Sequence, residues 1–493
     1  MLGMGAGRLM GLLAVAAALS PASAQRVVCS ADFAPEEGFV KPPEQAARDA
    51  LCLNGRWRFA PLACPPGYQR NTGQPPALPP VPKVAEAAGW DEVPIKVPSP
   101  WNVNTWGGGR AVGEGTAHPY WPSSLYYPSY PERWDGAELG WLGRTFTPPA
   151  AWAGRRLVLH FEAVAGDAQV YVNGRLVGGH LGSHLPFDCD ITEAVRLGEA
   201  NELVVGVRAM DLFDQTTPPY SRMRSPYPPG STTDHLRGIW QDVWLLGLPA
   251  VRVADTFVQP WVDRDELVVE ATLRNDTAAA RTVTVGGAVH PWVNEAGTDP
   301  LSAPVPKWRL DPSVLDLPPQ TVTLAAGEQR AVRATVKVGG RLRLWSPDAP
   351  NLYGLVLSVD ADGQPLDRQY TRFGWRQVTL RGRDLLLNGE PIRLLGDLLH
   401  PFGPFVGSRR YVWAWYKLIK DMHGNAVRPH AQPHPRAYLD LADEMGLMVL
   451  DETALFGSSL RLNFGAPQAW ARSGEHYDAL VRRDRNHPSV FGW

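Results

Sequence analysis

Six polar side chains near the C-terminal end of this 493-residue chain are the first candidates for chemistry: Asp397, His400, Arg428, His430, Asp451 and Glu452. In "NAVRPH" (425–430), Arg428 and His430 are two apart, so on an extended strand they point the same way. In "LMVLDE" (447–452), Met448, Leu450 and Glu452 share a face, which sends Asp451 and Glu452 to opposite sides. The two adjacent carboxylates are therefore a poor acid/base pair in themselves. Asp397 and His400 close a third apolar run, "PIRLLGDLLH" (391–400). Together these groups suit hydrogen bonds to hydroxyls. The plainer readings are that Arg428 braces the fold by pairing its guanidinium fork with a carboxylate such as Glu452, and that His400 is an ordinary loop histidine. His430 and His434 have the four-residue spacing of a helical zinc pair. Pro429, Pro433 and Pro435 forbid a helix there, and no Glu follows His430, so no metal site is expected. The chain has no glycine-rich phosphate loop, nucleophile elbow or CxxC.

The elements that position these residues begin near 378, where strand and helix start to alternate. "PIRLLGDLLH" is a strand. "SRRYVWAWYKLIKDMHG" is a helix between Ser408 and Gly424, with Val412, Trp415, Leu418, Ile419 and Met422 as its expected buried face. "NAVRPH" is a strand, "PRAYLDLADEMG" a helix between Pro435 and Gly446, and "LMVLDE" a strand. "PQAWARSGEHYDALVRRDR" is a helix and "SVFGW" (489–493) a fourth strand. Such alternation builds a parallel sheet. In a (β/α)8 barrel the active site forms at the C-terminal strand ends, so all six residues would converge on one mouth. A full barrel takes ~250 residues. The region 378–493 supplies under half of that, which predicts an incomplete (β/α)8 TIM barrel ending at its fourth strand.

The preceding sequence is strand-like throughout. Residues 25–250 hold short alternating runs, with a hairpin signal at Asn173-Gly174, and fit a jelly-roll β-sandwich. Residues 251–377 alternate again, with an Asp362-Gly363 turn, and suit an immunoglobulin-like β-sandwich. No internal repeat is visible. Residues 1–24, with Arg8, the run Leu9 to Leu19 and Ala22-Ser23-Ala24, form a signal peptide cut after Ala24. Export to the periplasm or outside the cell is thus expected, with no later run able to span a membrane. Export permits disulfides among Cys29, Cys52, Cys64 and Cys189. Cys52 with Cys64 is the nearest pair, and free buried thiols are the other reading. A net charge of −2 argues against a nucleic-acid or anionic-membrane partner. Nineteen Trp residues mainly fill sandwich cores, or stack on the flat faces of a ligand such as a sugar.

Three ordered segments together resemble the family 2 glycoside hydrolases, the group of β-galactosidases, β-glucuronidases and β-mannosidases. The first comprises "LNGRWRF" (53–59), "VPSPW" (97–101), "HFEAVAGDAQVYVNGRLVGGHLGSHLPFDCDIT" (160–192) and "GIWQDVWL" (238–245). The second is "LWSPDAPNLY" (344–353). The third is "NAVRPHAQPHPRAYLDLADEMGLMVLDE" (425–452) with "RDRNHPSVFGW" (483–493). The resemblance implies retaining hydrolysis of a glycosidic bond, by a glutamic acid that protonates the leaving oxygen and a glutamate that attacks the anomeric carbon. In the family these follow strands four and seven, so both are expected beyond Trp493. His400 and Arg428 match positions lining the sugar site, and Asp451-Glu452 match the family's "DE" after strand three. There are departures. Ala431 stands where the family often has His, Leu398 where it often has Asn, and Phe456 and Ser458 where galactosidases place magnesium ligands. These leave the sugar open and imply no metal or other cofactor.

The expected function is that of an exported, retaining exo-β-glycosidase, represented by a portion without its catalytic glutamates. Its partner is a carbohydrate substrate, with no nucleic acid and no membrane after signal cleavage, and a homo-oligomer is compatible. The alternative is a non-catalytic carbohydrate-binding protein with a vestigial barrel. An Asn-Glu within about six residues after Trp493 in the reading frame would decide for the enzyme.

Overall fold

A computed structural model describes residues 37–102, 130–217, 220–224, 236–295, 307–399, 409–455, 465 and 467–493. The expected signal peptide, Cys29, His400, Phe456 and Ser458 lie outside them.

The first unit is a sandwich of two antiparallel sheets. Four strands run in the order Asp49–Cys52, Val243–Leu248, Arg156–Phe161, Phe187–Asp190. Facing them is a seven-stranded sheet that includes Gly55–Leu62, Leu139–Phe146, Val164–Val172 and Asn201–Arg208. Alternation along each strand sends Trp57, Phe59, Leu159, Val170 and Val205 into one core, where Trp101 and Trp134 join them. Asn173 and Gly174 turn the Val164–Val172/Arg175–Gly182 hairpin with φ of 50° and 78°, the two positive values that a type I′ turn demands. Cys52, Cys64 and Cys189 are free thiols, so the Cys52–Cys64 pairing expected from proximity is not formed. The chain crosses between the two sheets after Cys52, and Cys64 follows a strand of the opposite sheet, where its Sγ donates to Glu138.

The second unit packs a three-stranded sheet (Val251–Trp261, Glu266–Asn275, Gln329–Lys337) on a five-stranded one built around Arg281–Asn294, Leu352–Ala361 and Gln364–Phe373. Val253, Leu267, Val269, Leu355 and Phe373 form its core. Arg48 fastens this unit to the first: its guanidinium donates to both oxygens of the fully buried Asp367 and to the Val253 carbonyl.

The last unit is a parallel sheet of four strands in sequence order: β1 (Gly396–Leu399), β2 (Ala426–Pro429), β3 (Met448–Leu450) and β4 (Val490–Gly492). The connections carry α1 (Arg409–Asp421), α2 (Arg436–Met445) and α3 (Pro467–Asp484). Pro435 is the N-cap of α2. Gly446 ends that helix at φ 70°, where a Cβ would stand 2.2 Å from the Pro347 carbonyl oxygen, so only glycine fits. β1 is shorter than the apolar run predicts. Glu390–Pro391 pairs instead with Asp384–Leu387, and Asn425 ties down the backbone at Arg393 and Leu395. The α1 face also differs. Val412 and Ile419 are buried as expected, but Trp415 and Leu418 are only partly covered and Met422, past the helix end, is 65 % exposed. Tyr411, Trp413, Ala414 and Tyr416 are buried instead, because α2 covers a second side of the helix and Tyr416 meets Tyr438 edge-on at 6.2 Å.

The second sandwich holds the parallel unit through buried ions. Arg372 donates to Glu444 (2.7 Å), to Asp440 (2.7 Å) and more weakly to Asp443 (3.3 Å), and Arg409 reaches the other oxygen of Glu444. Asp440, Asp443 and His487 are the one group among the described residues whose ligand atoms lie close enough for a cation. The Arg372 guanidinium already stands against both carboxylates there, so the cluster is an ion-pair hub. No helix among the described residues is long and apolar enough to cross a membrane.

Candidate active-site mouth

β2 and β3 are parallel neighbours, so the residues at their C-terminal ends meet. The Arg428 Nε donates to Glu452 Oε1, and Glu452 Oε2 accepts the Ala431 N–H at 2.7 Å. Ala431 adopts φ 50°, a left-handed turn that aims this amide at the carboxylate. The Glu452 side chain is 18 % exposed and that of Arg428 is 44 % exposed, so the guanidinium still faces solvent at the mouth. A carboxylate that accepts from a guanidinium and an amide together is a rigid acceptor and a poor proton donor. The arrangement can orient hydroxyl groups. Among the described residues it has no second carboxylate placed for acid/base chemistry.

The remaining candidates fall as follows. His430 is half-buried directly after β2, next to the Arg428–Glu452 pair in the chain. It and His434 lie on a non-helical segment, as the prolines require, and His434 packs on Tyr438 at 4.4 Å. Asp451 is fully buried, and its backbone N–H bonds the Gly492 carbonyl at 2.9 Å. Burial, together with the nearby Asp484 carboxylate, pushes its pKa well above the usual carboxylate range, against the opposing pull of Arg483. Asp451 and Glu452 thus part to opposite sides, and the structure does not bring Asp451 to the mouth. Asp397 is exposed on β1, where its register partner is Val427. Val427 belongs to the core between sheet and helices, so Asp397 shares that side; Leu398 is the register partner of Arg428.

Sequence reasoning missed a second polar cluster, where the jelly roll abuts α3. Arg483 forks onto its neighbour Asp484 (2.7 Å to each oxygen) and donates to the His434 carbonyl at 2.8 Å. Glu162 of the jelly roll stands 3.4 Å from His160 and 3.7 Å from Arg436. Burial alone would raise the Glu162 pKa, but Arg436 and then His160 outweigh it and hold the group far below the carboxylate range. His160 is pushed up to about 9: burial lowers it, and its contacts with Asp188 and Glu162 prevail. A signal for this cluster was present in the sequence. His476, Leu480 and Asp484 recur every fourth residue on the buried face of α3.

This architecture matches known proteins along almost its whole length. Residues 51–249 match the sugar binding domain of glycosyl hydrolases family 2, residues 251–376 the family 2 domain that follows it, and residues 378–493 the family's TIM barrel domain. The chain belongs to glycoside hydrolase family 2. A β-galactosidase of Thermoanaerobacter pseudethanolicus is 28 % identical over 364 residues, which is 72 % of this chain and 44 % of that protein. A rat β-glucuronidase is 27 % identical over 379 residues, covering 72 % of this chain and 53 % of the relative. The crystal structure of a Bacteroides uniformis β-glucuronidase superimposes on 90 % of this chain and 46 % of its own with a TM-score of 0.64 at 21 % identity, a likeness of fold. This family 2 chain therefore spans about half the length, or less, of these three relatives.

Proposed function

We propose that the chain is the binding and positioning part of an exported exo-β-glycosidase that acts with retention of configuration. The observation that carries the reading is the Arg428–Glu452–Ala431 clamp at the C-terminal ends of β2 and β3, inside a family 2 barrel domain. Arg428 and Glu452 orient sugar hydroxyls; His430, beside them, and His400, whose family counterpart lines the sugar site, complete the mouth. By resemblance the proton donor and the nucleophile follow strands four and seven, past Trp493. A retaining pair stands ~5–5.5 Å apart. Among the described residues, neither Asp397, Asp451 nor Glu452 has a second carboxylate in such an arrangement at the mouth. The proposed units are 25–250, 251–377 and 378–493, after a signal peptide at 1–24.

The test is an assay of the 493-residue chain against aryl β-galactoside, β-glucuronide, β-mannoside and β-glucoside, with sugar binding followed by saturation-transfer NMR. The expected result is binding of one sugar class without turnover. Hydrolysis by this chain that Glu452→Gln abolishes would overturn the assignment of Glu452 as a positioning group.

A further inference from the structure

Where the jelly roll meets the barrel unit, three histidines, two from the jelly roll and one from α3, gather around arginines. His184 lies in the bend between Arg175–Gly182 and Phe187–Asp190 and is 1 % exposed; His476 lies on α3 and is 2 % exposed. His180, on the strand before that bend, stacks on Phe187 at 4.9 Å. The buried Nε2 of His476 accepts the Ala454 N–H at 3.3 Å, two residues after Glu452. A ring nitrogen accepts only while unprotonated, so this bond fixes His476 as the neutral Nδ1–H tautomer. Protonation would set one N–H against another in the interior.

We propose that His476 is an acid-sensitive latch, which holds the Glu452 loop on α3 while neutral and releases it when protonated. This is independent of the carbohydrate reading. The groups around His476 and His184 favour the neutral state. His184 faces His476 and Arg483; His476 faces Arg483 and His180; His180 faces Arg472 and, in opposition, Glu475. The Arg483 guanidinium is bonded to the Asp484 carboxylate, and Asp451 and Glu162 add their charges at longer range. Burial first, and then the Arg483 cation and the repulsion that a second protonated histidine would add, push both His184 and His476 down to about 3.

The sign follows from linkage. A histidine whose folded pKa is depressed supplies stability above its unfolded value near 6.5, and that stability is lost as pH falls toward the folded value. A shift from about 6.5 to about 3 raises the population of an open state exposing that ring by about 30-fold at pH 5, and hardly at all at pH 7.5. Other groups act in the opposite sense. His160 (up to about 9), His487 (raised) and Asp242 (up to about 6) each favour the folded state as pH falls. The global melting temperature is thus a poor readout, and local opening is the quantity to measure.

The experiment is hydrogen–deuterium exchange on the full chain at pH 7.5 and pH 5, corrected for intrinsic rates, with wild type and His476→Gln. The glutamine of His476→Gln retains an acceptor oxygen for the Ala454 amide and cannot be charged. Exchange of the peptide spanning 450–455 should rise about 30-fold or more at pH 5 in the wild type, while 266–275 in the second sandwich stays unchanged. The variant should remove at least about tenfold of that rise. An equal rise in the His476→Gln protein, no local rise in the wild type, or a rise shared by 266–275 would each overturn the latch.

Discussion

Arg372→Met tests whether the second sandwich holds the barrel unit by charge. The methionine keeps most of the buried stem and removes the guanidinium. Its three carboxylate partners differ in exposure: 1 % for Asp443, 4 % for Glu444 and 27 % for Asp440. Asp440 near the rim can take up water. Glu444 keeps Arg409, and Asp443 keeps the His487 ring at 2.6 Å and the Ser489 N–H at 3.0 Å. Each buried partner thus loses about half of its compensation. Removing one member of a buried ion pair costs about 3–5 kcal/mol; with these remaining contacts the lower end applies, about 3 kcal/mol or roughly a 150-fold shift toward the undocked state. Acid should narrow the gap. Burial would raise the Asp440 pKa, but Arg372 ahead of His487 holds it low, so the wild type gains from this contact above the unfolded value near 3.8 and loses the gain as pH falls through the folded one. In the variant, a protonated carboxyl needs no guanidinium. The assay is hydrogen exchange of the α2 and β3 segments at pH 7 and pH 3, with urea unfolding beside it. Protection within twofold of the wild type at pH 7, or a deficit that grows at pH 3, would refute the charge argument.

Arg428→Lys should weaken sugar binding about tenfold, because an ammonium cannot serve Glu452 and a hydroxyl with one planar fork, while the far-UV spectrum stays unchanged; titration by NMR reads it, and unaltered affinity would exclude Arg428 from the mouth. Asp451→Asn should raise the melting temperature at pH 7 to 8 by a few degrees, since a buried carboxyl with a raised pKa costs stability when ionised, and the gain should vanish by pH 4. A chain of residues 25–377 should be soluble and melt cooperatively, as each sandwich closes its own core; recovery only as aggregate in several buffers would argue against the boundary near 377.

Sequence reading succeeded where one local interaction decides the outcome. Asn173-Gly174 and Asp362-Gly363 sit in left-handed backbone at two hairpin turns, and Pro435 and Gly446 bound α2 as their side-chain chemistry requires. The order of the parallel strands followed from alternation alone. The misses share a cause: the partner that decides lies far away in the chain. The buried face of α1 is set by α2 through Tyr416 and Tyr438, whose hydroxyls disguise them as polar. Asp397 follows the register of β1 against β2, which its own segment does not reveal. Pairing of Arg428 with a carboxylate such as Glu452 is one of the two readings its sequence leaves open, but the Ala431 amide that completes the contact depends on a backbone angle. His476, Leu480 and Asp484 mark the buried face of α3 by their spacing, but which charges meet there is decided by the docked jelly roll.

The same logic explains why a barrel unit of this family would need a β-sandwich beside it. The segment entering β4 has little regular structure of its own, yet it is held at several points. The Asn486 side chain bridges the Thr256 carbonyl (2.9 Å) and the Val258 N–H (2.9 Å) of the second sandwich. Arg376 of that sandwich donates to the carbonyls of Pro488 (2.8 Å) and Val490. Asp443, itself gripped by Arg372, accepts from Ser489 and fixes the His487 ring. Arg485 completes the set with Asp255 at 2.6 Å. Burial pulls the Arg376 pKa down to about 10, which leaves it charged across the physiological range, so this grip does not loosen near neutrality. β4 is therefore positioned from outside the sheet, by three arginines and an asparagine, and β3 takes its register from it through the Val449–Ser489 and Asp451–Gly492 bonds. Glu452 follows directly on that register. The position of the candidate site thus depends on contacts made on the far side of β4, and variants such as Arg376→Met should disturb sugar binding at Arg428 without touching it.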